Sequence, residues 1–159
     1  VVNERDGLGD ETPPDYLTSV QDGGFYGWPW CYWGQIVDDR VPANPGMVAK
    51  AIRPDYALGG HTASLGLCWM PAGTLPGFGE GMVIGQHGSW NRSTLSGYRV
   101  VFVAFENGRP VGESRVILDG FLSPDEKFSY GRPVGVAIKD GALLVADDVG
   151  DVVWRVVGA

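Results

Sequence analysis

Short runs of apolar residues that alternate with polar ones recur through the second half of the chain, separated by glycine, proline or acidic residues. The clearest run is 98–105, YRVVFVAF, which predicts a strand because successive side chains of a strand point to opposite faces. The same pattern predicts strands at 62–70, 81–86, 114–118, 134–138, 143–146 and 152–156. Asn107-Gly108 predicts a tight hairpin after the 98–105 strand. No segment has sustained helical periodicity, so the pattern indicates an all-β fold.

The first half of the chain is less regular. Residues 16–20 predict a short strand or a helical turn, and prolines within 35–60 oppose long strand ladders there. Between these segments lies an aromatic turn, residues 23–34, in which six of twelve residues are aromatic. Its glycines and proline exclude a helix or a long strand. We expect a rigid turn whose backbone carbonyls face a ligand while its rings pack behind them.

Four short antiparallel strands, repeated about every 40 to 50 residues, are typical of the blades of a β-propeller. A β-sandwich is the alternative. About three blades fit in 159 residues, whereas a propeller closes with at least about four. We therefore predict that residues 1–159 are one part of a single propeller domain and that the other blades are absent from this chain.

The chain is acidic, with 12 Lys and Arg against 19 Asp and Glu and a formal net charge of −7. This charge repels phosphate backbones and excludes nucleic acid as a partner, whereas neutral sugars, alcohols or cations are easier to accommodate. No segment reaches the roughly 20 apolar residues that span a bilayer. Cys31 and Cys68 have no metal-ligand spacing, and they either pair or remain free thiols.

Four segments in chain order, 3–30, 59–67, 85–100 and 131–156, carry a resemblance to a known family. They contain the motifs FYGWPW, GGHTASLGL, GQHGSWNR and GRPVG. Together they resemble the sorbosone and glucose dehydrogenase family, especially its L-sorbosone dehydrogenase and pyranose dehydrogenase branch. These enzymes are six-bladed β-propellers that use pyrroloquinoline quinone (PQQ). The resemblance implies that the chain is the C-terminal half of such a propeller, a partial six-bladed ring.

The family binds PQQ over the mouth of the central channel together with a calcium ion. The resemblance implies that the backbone carbonyls of Gly27, Trp28 and Pro29 hold that calcium, since calcium prefers hard oxygen ligands. The alternative is an aromatic turn that only plugs the channel between blades.

The resemblance also implies site residues in the later blades. His61 is expected to contact the cofactor or the substrate and to be a catalytic base, because a neutral imidazole can accept a hydroxyl proton. The resemblance also implies that the main catalytic histidine lies in an earlier blade, outside this chain. The alternative for His61 is a histidine that bonds to backbone at a blade edge. His87, Asn91 and Arg92 are expected to reach PQQ, which carries three carboxylates, although Arg92 could also be a solvated loop charge.

Arg132 matches the first of two arginines that the glucose dehydrogenases carry one residue apart, and Val134 stands at the second position. We expect Arg132 to contact PQQ and the grip on the cofactor to differ from that branch. The acidic residues Asp147 and Asp148 are interpreted as turn residues, and the acidic stretch 6–11 as a solvated loop.

The function implied is PQQ- and calcium-dependent oxidation of a sugar or sugar aldehyde by hydride transfer to the quinone. Electrons would then pass to a membrane quinone or a small redox carrier, and the protein would be periplasmic or extracellular. We expect the 159 residues alone to be inactive without the remaining blades. The alternative is a non-catalytic propeller module that binds carbohydrate through the aromatic turn.

Overall fold

The computed structural model describes residues 1–158. Eleven strands and one short helix follow one another in this order: β1 Pro14–Leu17, β2 Cys31–Tyr32, β3 Ile36–Val37, α1 Pro45–Val48, β4 Tyr56–Gly60, β5 Ser64–Met70, β6 Gly81–Gln86, β7 Arg99–Glu106, β8 Arg109–Leu118, β9 Pro133–Lys139, β10 Ala142–Asp147 and β11 Val152–Val156. The predicted strands of the second half are all present, with ends that differ by a few residues. Among residues 1–158, no helix is long and apolar enough to cross a membrane.

The strands form separate small antiparallel sheets. Strands β5 to β8 make one four-stranded sheet in chain order, and β9 to β11 make a three-stranded sheet of the same meander type. Strand β1 pairs with β4, Val2 bridges to Tyr16 beside them, and β2 pairs with β3. This is the blade pattern of a partial β-propeller, so the predicted fold class is confirmed. One of these sheets has all four strands of a blade.

Two hairpins close on residues that adopt the left-handed backbone conformation. Asn107 and Gly108 have φ values of 50° and 74° between β7 and β8, as the sequence predicted. Asp140 and Gly141 have φ values of 49° and 69° between β9 and β10. Two positive φ angles in a two-residue loop match the right-handed twist of the paired strands, which is why Asn, Asp and Gly occupy these positions.

The central strands of the β5–β8 sheet, β6 and β7, are covered on both faces. On one face Met70, Val83, Val100 and Phe102 pack against residues of β10, and on the other face Ile84, Val101 and Val103 pack against residues of β1 and β4. Neighbouring residues of a strand point to opposite faces, so two covered faces require an unbroken apolar run. The alternation expected for 98–105 therefore fails at 100–103, VVFV, where both faces of β7 are buried.

The 35–60 segment contains more structure than the sequence predicted. Helix α1 begins with Pro45 at its first position, and the side chain of Asn44 accepts a hydrogen bond from Met47 N at 3.2 Å. Strand β4, YALGG, lacks alternation and pairs with β1 through a register shift. Its partner rather than its own pattern makes it a strand. Cys31 and Cys68 are free thiols.

The contact between the two larger sheets depends on glycine. A β-carbon on Gly66 of β5 or on Gly85 of β6 would overlap the carbonyl oxygen of Val134 in β9. At these two glycines the backbones of β5 and β6 contact the backbone of β9 directly, with no side chain between them. Close approach of two backbones is one reason glycine occurs inside a strand.

We predict that Gly66→Ala lowers the free energy of unfolding by about 1–3 kcal/mol, because the added carbon must displace the β9 backbone. Gly79→Ala is the matched control, since a β-carbon there has no neighbour within 4 Å. Urea unfolding of both variants measures the difference. Equal stability of the two variants would contradict the close approach of β5 and β9.

Candidate active site

Three strand ends bring His87, Arg132 and Asp148 together. His87 follows β6, Arg132 precedes β9, and Asp148 follows β10. The guanidinium of Arg132 donates from Nε to the carbonyl of His87 at 2.8 Å and from Nη2 to the carbonyl of Gly88. The ring of Tyr98 lies beneath it, with its centroid 5.0 Å from the guanidinium carbon. The sequence predicted that Arg132 and His87 serve one site, and the structure places them in contact.

His87 has an acidic partner that sequence reasoning did not assign to the site. Its Nε2 lies 3.0 Å and 3.1 Å from the two carboxylate oxygens of Asp148. The imidazole is partly exposed, and no hydrogen bond of its Nδ1 is found within residues 1–158. Asp148 lies 61 residues further along the chain. A pair of acidic residues directly after a strand was the available signal.

The neighbouring Asp147 is buried and fixes the turn that carries Asp148. Its Oδ1 accepts hydrogen bonds from the backbone N–H groups of Arg132 at 2.8 Å, Gly150 at 2.9 Å and Val149 at 3.2 Å. Its Oδ2 accepts one from Trp154 Nε1 at 3.1 Å. Burial raises the pKa of this carboxyl, but the hydrogen bonds outweigh it and the pKa lies below its ordinary value.

His61 lies elsewhere, in a buried position between β4 and β5. Its Nε2 is 2.7 Å from the carbonyl of Gly9, and its Nδ1 is 2.9 Å from Asp6 Oδ1. A carbonyl only accepts, so Nε2 must donate, and Nδ1 is occupied by the carboxylate. Neither nitrogen is available to a substrate proton in this arrangement. The geometry matches the alternative of a backbone-bonded histidine, and the catalytic role of His61 stays a prediction.

Arg92 is also engaged within the protein. It donates from Nε to Thr94 O at 2.9 Å, from Nη1 to Gly60 O at 3.0 Å and from Nη2 to Glu11 Oε1 at 2.6 Å. The guanidinium therefore ties its own loop to the end of β4 and to the acidic stretch near the start of the chain. All three nitrogens are therefore engaged, and a cofactor carboxylate could be bound only through the second N–H group of Nη1 or Nη2.

Asn91, next to Arg92, has the opposite property. Its Oδ1 is buried and has no hydrogen-bond partner among residues 1–158. An unpaired buried acceptor costs about 1–3 kcal/mol. A ligand N–H or O–H group could satisfy it only after the surrounding loop moved, because the oxygen is inaccessible to solvent.

The aromatic turn is held by a guanidinium of the protein. Arg5 donates from Nη1 to Pro29 O at 2.9 Å and from Nη2 to Cys31 O at 2.8 Å, and it stacks on Trp28 at 4.6 Å from the ring centroid. Gly27 O accepts from Cys31 N at 2.9 Å. The side chain of Trp28 is 66% exposed, so it does not pack behind the turn as expected.

A buried ion network supports Arg5. Asp38 accepts from Arg5 Nη1 at 3.2 Å and from Arg40 through Nε at 2.9 Å and Nη2 at 2.7 Å. Glu4 adds a second carboxylate, 3.1 Å from Arg5 Nε. The hydrogen bonds from Arg40, with those from Arg5, hold the pKa of Asp38 well below its ordinary range. No motif or spacing in the sequence linked Arg5 or Asp38 to the aromatic turn.

The turn in this arrangement does not fit calcium. The oxygens of Gly27 and Pro29 already accept hydrogen bonds, and the donor at Pro29 is a full positive charge 2.9 Å away, which repels a divalent cation. Within residues 1–158, no group of three or more His, Cys, Asp or Glu side chains is placed to hold a metal ion. Gly27, Trp28 and Pro29 are therefore unsuited to calcium in this arrangement.

A cleft of about 450 Å³ borders the aromatic turn. It is lined by Val2, residues 3–5, Tyr16 and residues 24–28. It shares no lining residue with the His87–Arg132 cluster. The structure thus has two separate candidate regions, of which the cluster contains groups with unused hydrogen-bonding capacity.

We predict that Arg5→Met lowers the free energy of unfolding by about 3–5 kcal/mol, because it leaves Glu4 and two carbonyls without their buried partner and removes one of the two cations at Asp38. Arg109→Met is the control, since Arg109 is exposed and its pair with Asp55 at 3.2 Å is worth about 1 kcal/mol or less. Denaturant unfolding followed by tryptophan fluorescence measures both. A loss no larger than that of the control would contradict the role of Arg5.

We predict a stability loss in acid that depends on Asp38. A carboxyl whose pKa is lower in the folded chain contributes its full stability above its ordinary pKa of about 3.9, and the contribution falls as the pH drops through the folded value. The difference in unfolding free energy between the wild type and Asp38→Asn should therefore be smaller at pH 3 than at pH 7. Asp39→Asn, at the exposed neighbouring position, should change stability little at either pH.

No protein-family model matches the chain. An uncharacterized protein of Borreliella burgdorferi is 32% identical over 162 residues, which cover 97% of this chain and 41% of that protein. The chain thus spans about two fifths of the length of this relative.

Solved structures share the fold. A protein of carbohydrate-active enzyme family AA12 from Trichoderma reesei superposes in its iodide structure with a TM-score of 0.71 at 22% identity, covering 93% of this chain and 44% of that one. Its calcium structure gives 0.70 at 23% identity with the same coverage. The PQQ domain of pyranose dehydrogenase from Coprinopsis cinerea, in its holo form, gives 0.68 at 23% identity over 98% of this chain and 46% of that one. The chain therefore has the fold of a little under half of these proteins.

Proposed function

We propose that this chain is part of a PQQ-dependent enzyme that oxidises a sugar or sugar aldehyde, as in the sorbosone and pyranose dehydrogenases. The observation that carries the proposal is the contact between Arg132 and His87, two residues assigned to one cofactor site from separate motifs. The fold shared with a pyranose dehydrogenase PQQ domain supports it. The other blades, the sugar, the electron acceptor and an exported location belong to the same proposal.

The cluster fits an anionic planar ligand. Arg132 donates from Nε and Nη2 to the carbonyls of His87 and Gly88, which fixes the plane of the guanidinium. Its Nη1 is available to bind a carboxylate. Nε2 of His87 is hydrogen-bonded to Asp148, and Nδ1 is available to a ligand. Because these groups are held by protein hydrogen bonds before a ligand arrives, little ordering is needed on binding.

PQQ, when bound, would supply the quinone that accepts hydride from the substrate carbon. The chain itself would contribute the positive charge of Arg132 and an imidazole acceptor at His87 Nδ1. A neutral imidazole can take a proton from a hydroxyl group within hydrogen-bond reach. His87 is therefore a candidate base beside His61, and its free nitrogen favours it.

The resemblance implies that the enzyme depends on calcium, and we include this dependence in the proposal. Gly27, Trp28 and Pro29 are not proposed as its ligands. The calcium structure of the Trichoderma reesei protein motivates the test. Loss of activity in EDTA with recovery on adding calcium would support an ion held by other groups.

A carbohydrate-binding module without chemistry is the second candidate. Trp90 is 77% exposed three residues after His87, and Tyr130 is 62% exposed two residues before Arg132. Exposed aromatic rings beside polar groups are suited to stacking on sugar faces. This candidate predicts sugar binding without PQQ binding or dye reduction.

We predict that Arg132→Gln weakens PQQ binding by about tenfold, the effect of losing one charge-assisted hydrogen bond. PQQ is titrated into the complete propeller that contains these residues, with binding followed by fluorescence quenching and activity by dye reduction across a sugar panel. Arg155→Gln, at an exposed position of β11, is the matched control. Binding of PQQ by Arg132→Gln as tight as by the control would contradict the proposed site.

A further inference from the structure

The adjacent Asp147 and Asp148 connect Arg132 and His87 through one rigid turn. Asp147 accepts from the backbone N–H of Arg132 and from the two N–H groups that close the turn, at Val149 and Gly150. Asp148 stands on that turn and meets the imidazole of His87 with both carboxylate oxygens. The turn at residues 147–150 therefore contacts both Arg132 and His87 and helps to fix their positions.

We propose that Asp148 is a positioning residue for His87, and that Asp147 supplies the frame that holds Asp148 and Arg132 in register. The proposal rests on the proposed function for its ligand and deepens it. A carboxylate on Nε2 keeps the proton of the neutral ring on that nitrogen and leaves Nδ1 as an acceptor. It also fixes the ring plane, so that Nδ1 faces one direction instead of sampling two.

The two aspartates have different surroundings, which suits different roles. Asp147 is 3% exposed, and its carboxylate is saturated by four donors, so no capacity remains for a ligand. The side chain of Asp148 is 57% exposed, and His87 is its partner. An exposed carboxylate is not needed for the fold, so its substitution separates positioning from stability.

Removing the carboxylate of Asp148 should change PQQ affinity in opposite directions, depending on whether Asp148 acts only through its charge or by positioning His87. Removing a negative charge near a site for a trianion should tighten binding by reducing repulsion. Removing the group that orients His87 should weaken it. The sign of the change therefore distinguishes the two effects without reference to a small difference in magnitude.

The first experiment measures PQQ affinity of the complete propeller with Asp148→Ala, Asp148→Asn and Asp119→Ala. We expect Asp148→Ala to weaken binding by about tenfold, the effect of one hydrogen bond. Asp148→Asn should bind at least as tightly as wild type, because its amide oxygen can still accept from Nε2–H while the negative charge is gone. Asp119→Ala removes the same charge from an exposed position and should not weaken binding. Tighter binding by Asp148→Ala, or equal effects of Asp148→Ala and Asp119→Ala, would overturn the proposal.

A double-mutant cycle tests whether Asp148 acts through His87. In a His87→Gln background, Asp148→Ala should have no further weakening effect on PQQ affinity, since the oriented ring is gone. Additive losses would place Asp148 in direct contact with the ligand or in a general structural role, and would overturn positioning.

The second experiment needs no cofactor. The protected ring N–H resonance of His87, assigned by its absence in His87→Gln, should disappear in Asp148→Ala and persist in Asp148→Asn, while the ring N–H signals of His61 stay unchanged. Persistence of the His87 resonance in Asp148→Ala would overturn the proposed pairing. If the variants show this pattern but the wild-type protein binds no PQQ, the proposed function is overturned, whereas the pairing of His87 with Asp148 is supported.

Discussion

The two central strands of the β5–β8 sheet, β6 and β7, have no face turned to water, and this constraint determines most of the structure. Their two apolar surfaces must each be covered, one by the β9–β11 sheet and the other by β1 and β4. Covering both faces fixes where the loops at the strand ends lie. The cluster of His87, Arg132 and Asp148 forms because three of those ends meet at one place.

Polar groups that this packing buries have specific partners. Asp15 is inaccessible to water and accepts from Glu4 N at 2.9 Å, Thr62 Oγ1 at 2.9 Å and Ser64 N at 2.8 Å. Burial raises its pKa despite these hydrogen bonds. The bond to Glu4 N fixes the backbone just before Arg5, and Arg5 in turn holds the aromatic turn. A chain of satisfied buried polar groups thus leads from the sheet to the turn.

The hydrogen-bond partners also separate basic residues that hold the structure together from those that are available to a ligand. Every side-chain nitrogen of Arg5, Arg92 and His61 contacts a carbonyl or carboxylate of the protein. Arg132 and His87 each keep one nitrogen without such a partner among the residues described. Four of these five residues lie in motifs that carried the sequence resemblance to a cofactor site. The motifs therefore predicted the region of the site. The hydrogen bonds indicate which residues of the motifs are available to a ligand.

The sequence by itself determined the strands of the second half, because alternation and turn residues such as Asn107-Gly108 act over a few neighbours. It also predicted that Arg132 and His87 share a site. It did not predict β4, whose YALGG pattern becomes a strand through pairing with β1. Nor did it predict the contacts of Arg5 with Pro29 or of His87 with Asp148, which join residues 24 and 61 positions apart. Those contacts depend on which sheet faces meet, and only the folded chain decides that, because long-range packing sets the distances between groups that local sequence leaves free.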